Sequence, residues 1–314
     1  MIRFIFKIIL FWVLLLLVIY GAAKIYSIPA ESKDYENFKI EENLVITPQE
    51  DTVDYLFMGL SHARNFSRHR NHMRVEKILD IDFLNYGKGG GRGDCASQYN
   101  YLRYFLSKNN HTENILYVLS MPMFFANRLD ENAFTYQYEV LKPDFFYQIL
   151  IGPDINKGEK LYNYVRTKFD KKWREKYAPW SRKRMDKVLE EFDTAKIVAG
   201  FKRAYVEGLE FDAFNRNKIL IEKTILLAKD EDISISFLVT PSTFGEWPGH
   251  EHVMNFLNSM SEKYGVKTYD YSKVYLHQKK SFYDHHHLNT KGVVEFTKEY
   301  LNPIVVNRKN QNPD

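Results

Sequence analysis

Short apolar runs alternate with amphipathic stretches along most of the chain. From Thr52 to Leu60 the apolar residues Val53, Tyr55, Phe57 and Leu60 are packed closely enough to predict a strand buried on both faces. A charged segment follows Ser61, and in it Met73, Val75, Ile78 and Leu79 recur at helical spacing. Ile81 to Tyr86 predicts a short strand ending at Gly87, Cys95 to Leu106 a helix, and Ile115 to Leu119 a third strand. Further on, Ile219 to Ala228 predicts a helix, Ile233 to Thr240 a strand and His252 to Tyr264 a helix. Val266 to Tyr269 predicts a last short strand and Lys291 to Leu301 a last helix. Strands alternating with helices in this way predict an α/β domain of three layers around a mainly parallel sheet of about five strands. Strand candidates cease between about 121 and 212, which predicts a largely helical insertion.

The start of the chain has a different pattern. Phe4 to Ala23 is a 20-residue apolar run broken only by Lys7. As a helix rising ~1.5 Å per residue it spans roughly 30 Å, the thickness of a bilayer's hydrocarbon. Arg3 and Lys7 precede it, so the positive-inside rule predicts a cytoplasmic N-terminus and an extracytoplasmic main domain. Residues 1–25 are thus expected to be a transmembrane anchor and 26–50 a linker or stalk. The main domain is expected over 51–302, with a polar tail over 303–314. A cleaved export signal is the alternative, since Gly21 and Ala23 are small residues suited to a cut.

Composition narrows the class. With 314 residues, 45% apolar and 16% aromatic, the chain has material for a large core, which excludes global disorder. One cysteine, Cys95, excludes an intrachain disulfide and any cysteine-rich metal module. A net charge of +4 is too small to predict nucleic-acid binding by the whole chain. Within the insertion, however, Lys157 to Lys187 holds 12 Lys/Arg against 4 Asp/Glu, interleaved with Trp173, Tyr177 and Trp180. Such a patch suits either a solvated helical face with its aromatics turned inward or an approach to an anionic membrane or polymer.

Two remote segments carry the candidate chemistry. Gly59-Leu60-Ser61-His62 follows the first strand, and Asp284-His285-His286-His287 precedes the last helix. A serine at the C-terminal end of a parallel strand stands where α/β folds place ligands. Its hydroxyl needs a base, histidine can serve near neutral pH, and a carboxylate can orient that histidine. Asp284 and His287, three positions apart, suit those two roles, and the Ser61 N–H suits an oxyanion donor. The histidines also raise a metal reading, with His285, His286, His287 and Asp284 on one side and His62, His69 and His72 on the other. Consecutive histidines point in different directions, so the expectation is no metal and no cofactor. His287 alone would be catalytic, with His285 and His286 lining the mouth or facing solvent.

These blocks resemble the SGNH, or GDSL-type, hydrolase superfamily over roughly residues 50–302. They are most similar to its membrane-anchored extracytoplasmic branch, which includes the teichoic-acid D-alanylation protein D and polysaccharide O-acyltransfer proteins. The resemblance implies a flavodoxin-like α/β/α sandwich with Ser61 as nucleophile, His287 as general base and Asp284 as its orienter. It also implies an oxyanion-hole glycine in Asn85-Tyr86-Gly87-Lys88-Gly89-Gly90-Gly91, with Gly90 and Gly87 as the two candidates. Arg64 matches an arginine common after the serine in such proteins. Arg64, His62 and Asn127 are candidates for substrate contacts. The sequence departs from the family pattern at Leu60, where an aspartate is usual. It departs again at Val118-Leu119-Ser120-Met121-Pro122, which replaces the usual Gly-x-Asn-Asp.

The expected function is serine-dependent O-acyl transfer or ester hydrolysis on a cell-envelope glycan or teichoic-acid-like polymer. A multipass acyl-exporting membrane protein is the partner that the resemblance implies, and nucleic acid is not expected. Two other readings compete. One is an α/β-hydrolase, since Gly59-Leu60-Ser61-His62-Ala63 approaches Gly-x-Ser-x-Gly. The other is a noncatalytic envelope-binding or assembly protein on a degenerate hydrolase scaffold.

Overall fold

The computed structural model describes residues 2–31, 39, 44–89, 91–170 and 183–309. Five strands form one sheet: β1 (Thr52–Gly59), β2 (Phe83–Asn85), β3 (His111–Leu119), β4 (Ser234–Val239) and β5 (Lys267–Asp270). Their order is β2-β1-β3-β4-β5, and every neighbouring pair is parallel. All five lie where the apolar runs predict them. The chain moves outward from β1 to β2, then crosses back to place β3 on the other side of β1. The direction of winding therefore reverses between β1 and β3, and the crevice beyond their C-terminal ends is the usual ligand position in open α/β sheets.

Both faces of the sheet are covered, so β1 is buried along nearly its whole length. Tyr55 and Phe57 face one side, together with Phe83, Leu116, Val118 and Leu238. The helix α3 (Asn71–Leu79) supplies Val75 and Leu79 to that core, and the C-terminal helices add Val293, Phe296, Ile304 and Val305. Leu56 and Met58 face the other way with Leu84, Ile115, Tyr117 and Phe237. They pack against Tyr101, Leu102 and Phe105 of α4 (Cys95–Leu106), Ile221 and Ile225 of Phe211–Asp230, and Val253 and Leu257 of His250–Tyr264.

Helix boundaries follow their caps. Asp94 Oδ1 accepts the Ser97 N–H at 2.6 Å while Ser97 Oγ accepts the Asp94 N–H at 2.9 Å, a capping box that starts α4. Helix Thr290–Phe296 starts at Asn289, whose Oδ1 accepts the Gly292 N–H at 2.8 Å.

The last helix runs further than the sequence pattern suggests. Beyond Phe296 a π-helical turn, Thr297–Leu301, leads into Asn302–Lys309. Ile304 and Val305 are buried there, so the segment expected to be a polar tail begins as part of the core.

Helix α1 (Ile2–Glu31) is long and apolar enough to cross a membrane, and its most apolar stretch has no protein packed over it. It does not stop at residue 25. Its C-terminal part rests on the domain: Ala23 and Ser27 are buried, Tyr20 packs on the main core, and Lys24 Nζ donates to the Leu141 carbonyl at 3.2 Å. Leu44 and Val45, in the expected stalk, are buried too, with the Tyr104 hydroxyl donating to the Val45 carbonyl.

Among the described residues the region between β3 and β4 is helical, as the gap in strand candidates predicts. Part of its basic cluster is internal. Lys160 is fully buried between Asp94 and Asp154, and Lys168 is buried with its ammonium on the Gln137 carbonyl. Trp173, Tyr177 and Trp180 lie outside the described residues.

Candidate active site

Gly59 ends β1 with φ +132°, and a Cβ there would stand 2.1 Å from the Val118 carbonyl oxygen. Only glycine permits β1 and β3 to meet so closely at this turn. The Gly59 N–H donates to Gln98 Oε1 at 2.8 Å, and Gln98 in turn donates to the Tyr86 carbonyl. The chain then turns at once into α2 (Ser61–Arg64), closed by the Arg64 N–H on the Leu60 carbonyl at 3.0 Å. Ser61 is thereby placed in the first turn of a short helix, where backbone N–H groups have no intrahelical acceptor. Leu60, standing where the resembling family has an aspartate, is buried in the main core.

The second segment folds back over Ser61 as a small closed loop. Phe282 and Leu288 form an antiparallel bridge, and the Tyr283 N–H donates to the His287 carbonyl at 3.1 Å. Asn289 holds its base by donating to the Lys280 and Phe282 carbonyls. Asn65 Nδ2 ties α2 to the loop through the Leu288 carbonyl at 3.3 Å, and Arg68 reaches the Tyr283 hydroxyl. Nothing in the periodicity of the sequence points to Asn65, Arg68 or Asn289 as parts of this site.

A continuous hydrogen-bonded chain results. His287 Nε2 lies 2.8 Å from Ser61 Oγ, and His287 Nδ1 lies 2.9 Å from Asp284 Oδ2. Asp284 Oδ1 accepts the backbone N–H groups of His286 and His287 at 3.1 and 2.9 Å. Burial pushes the Asp284 carboxyl upward, but the imidazoles of His287 and His286 and these donors outweigh it and hold it well below the usual carboxylate range. An ionised Asp284 fixes His287 with its proton on Nδ1, which leaves Nε2 as an acceptor toward Ser61. The Tyr283 ring stacks on His287 with centroids 5.3 Å apart.

The neighbouring histidines diverge. His285 is buried and structural: its Nε2 accepts the Asp193 N–H at 3.1 Å, and its carbonyl accepts from Thr243. The expectation that it lines the mouth is corrected by those contacts. His286 is partly exposed beside Trp247, whose ring also meets Phe201 and Phe244. His62 is only 6% exposed and its ring lies 5.2 Å from that of His287. Burial and the neighbouring His287 push its pKa down to about 3, so it is neutral. His69 pairs with Asp186 and His72 faces the Ser67 carbonyl, both apart from this group. Among the described residues His62, His286 and His287 are the cluster able to share a metal ion.

The remaining candidates separate. Gly87 approaches the Arg64 backbone, where a Cβ would lie 2.2 Å from the Arg64 nitrogen. Its own N–H donates to Asn85 Oδ1 at 2.7 Å and is therefore committed away from an oxyanion. Asn85 also donates to the Ala63 carbonyl, clamping α2 to the glycine-rich loop. Gly90 lies outside the described residues. Arg64 is buried, its side chain running against Gly89. Asn127 is held in the insertion by Glu210 and Arg216.

No family model and no curated protein matches this sequence. Among solved structures, the chain is similar to a crystal structure of a "putative acylhydrolase" from Bacteroides fragilis. The two share 11% identity with a TM-score of 0.41, over 88% of this chain and 99% of that one. At that level the likeness carries no argument about activity here. The chain is an α/β protein with a parallel five-stranded sheet, helical insertions and one apolar N-terminal helix.

Proposed function

We propose that this chain is a serine-dependent acyl-transfer enzyme of the SGNH type, an O-acyltransferase or esterase. The single observation that carries the reading is His287 standing between the Ser61 hydroxyl at 2.8 Å and the Asp284 carboxylate at 2.9 Å. The order β2-β1-β3-β4-β5, with Ser61 at the point of reversal, supports the flavodoxin-like sandwich that goes with it.

In this reading Ser61 Oγ attacks an ester carbonyl as His287 Nε2 takes its proton. The resulting imidazolium is stabilised by Asp284, and the Ser61 N–H donates to the tetrahedral oxyanion. As the carbonyl re-forms, the leaving oxygen departs with the proton from His287, and Ser61 is left acylated. Water or an acceptor hydroxyl then attacks the acyl carbon, with His287 again taking the proton, and as that intermediate collapses His287 returns the proton to Ser61 Oγ, which departs as the free hydroxyl. Helix α1 anchors the chain with its N-terminus in the cytoplasm, which puts the site on the extracytoplasmic side against an envelope glycan or teichoic-acid-like polymer. A multipass membrane protein that exports the acyl group is the matching partner. Mass spectrometry of the protein quenched during turnover is expected to find acyl mass on the Ser61 peptide. Unmodified Ser61, with turnover undiminished in Ser61→Ala, would overturn the reading.

One observation favours a second reading. The Gly87 N–H is committed to Asn85, which leaves one fewer oxyanion donor. A noncatalytic envelope-binding protein on the same scaffold needs none. Covalent labelling of Ser61 by a fluorophosphonate supports the enzyme, because labelling requires an activated hydroxyl.

A further inference from the structure

We propose that His62, His286 and His287 form a site for one divalent transition-metal ion of the zinc class, and that its occupancy blocks the Ser61–His287 hydrogen bond. One ligand atom from each imidazole lies within 4.8 Å of those of the other two. Tetrahedral zinc, with Zn–N bonds of about 2.0–2.1 Å, sets its nitrogens ~3.3 Å apart. Binding therefore draws the three rings closer together, and His286 and His287 are on a turn with partly exposed side chains.

Three further features point to a ligand. Asp284 already holds His287 Nδ1 at 2.9 Å, the carboxylate–histidine support that orients metal-binding imidazoles. The Leu119 backbone can satisfy one ring nitrogen of His62, and the other has no hydrogen-bond partner among the described residues. A buried imidazole left in that condition calls for a partner. Finally, His285 is turned away onto Asp193, so the two histidines after it are the ones presented to His62. Ser61 Oγ, 2.8 Å from His287 Nε2, or a water molecule would supply the fourth ligand. Borderline-soft metals suit an all-imidazole set, whereas magnesium and calcium take oxygen ligands.

Metal bound through His287 Nε2 removes the lone pair that would receive the Ser61 proton. That inhibitory consequence rests on the reading of Ser61 as nucleophile; the binding itself does not. Full-length protein in detergent, stripped with a chelator and dialysed against zinc, is expected to hold one ion per chain. His62→Phe and His286→Gln are each expected to weaken binding at least tenfold, and Asp284→Asn by about 10–100-fold. Cobalt(II) in place of zinc is expected to give the intense visible bands of a tetrahedral site. His286 is partly exposed, so His286→Gln decides the matter even where the His62 variant fails to fold.

Fluorophosphonate labelling of Ser61 separates the two claims. Labelling that zinc suppresses and chelator restores, in the unmodified protein but not in His286→Gln, supports both. One bound zinc that needs the histidines, with Ser61 unlabelled at every zinc level, supports the metal site and overturns the nucleophile. Labelling that zinc leaves untouched, with no bound ion or with affinity unchanged in both histidine variants, overturns the metal site alone.

Discussion

His287 Nε2 and Ser61 Oγ stand 2.8 Å apart although 226 positions of chain separate them. The contact exists because β1 delivers Ser61 to the sheet's C-terminal edge, where the winding reverses between β1 and β3, and the loop before the last helix folds over the same edge. Asp284 Oδ2 lies 2.9 Å from His287 Nδ1, on the side of the ring away from Ser61. Asp284→Asn is therefore expected to lower turnover by about 10⁴-fold, by allowing the imidazole its wrong tautomer. Circular dichroism should remain that of the parent, since an amide fits the same space. Steady-state kinetics on an acyl ester checks it.

Gly59 makes a structural prediction independent of catalysis. Its φ of +132° and the 2.1 Å separation from the Val118 carbonyl leave no room for a methyl group. Gly59→Ala is expected to cost at least ~2 kcal/mol, from backbone strain together with separation of β1 from β3. Denaturant midpoints of the two proteins measure it.

His62 makes stability depend on pH. It titrates near 6.5 in the unfolded chain and at about 3 in the folded one. Above pH 6.5 both states are neutral there and stability is at its full value. As pH falls from 6.5 toward 3 the unfolded chain takes up a proton that the folded chain refuses, so stability falls. One such group removes about 2 kcal/mol between pH 6.5 and pH 5. The loss between those two pH values is expected to shrink by roughly that amount in His62→Gln, by urea denaturation.

Lys160 anchors the insertion to the sheet domain. Its ammonium lies 3.0 Å from Asp94 and 2.7 Å from Asp154, with all three side chains fully buried. Lys160→Met keeps the volume but strands two carboxylates, and a loss of about 3–5 kcal/mol is expected. Replacing Asp94 and Asp154 as well should recover part of it, and a thermal melt distinguishes the two cases.

Much of the architecture is legible in local pattern. Each apolar run that predicts a strand forms one, because a strand buried on both faces must be apolar at successive positions. Helix α4 begins and ends where its spacing predicts, because Asp94 and Ser97 supply the cap locally. The C-terminal helix extends past its local pattern. Ile304 and Val305 follow a proline in a polar context, and only their packing against the β1–β3 face makes them core.

The sequence by itself determined the element types, the apolar N-terminal helix and the residue types Ser61, Asp284 and His287, since propensity, periodicity and proton chemistry are properties of nearby residues. The tertiary structure decided the order β2-β1-β3-β4-β5, which of three successive histidines faces the serine, and that Gly87 gives its N–H to Asn85. It also brought His62 against His286 and His287. The strand order and the histidine cluster depend on pairings between segments remote in the chain, and the Gly87 N–H on the backbone angles of its own loop, neither of which the local residue pattern specifies.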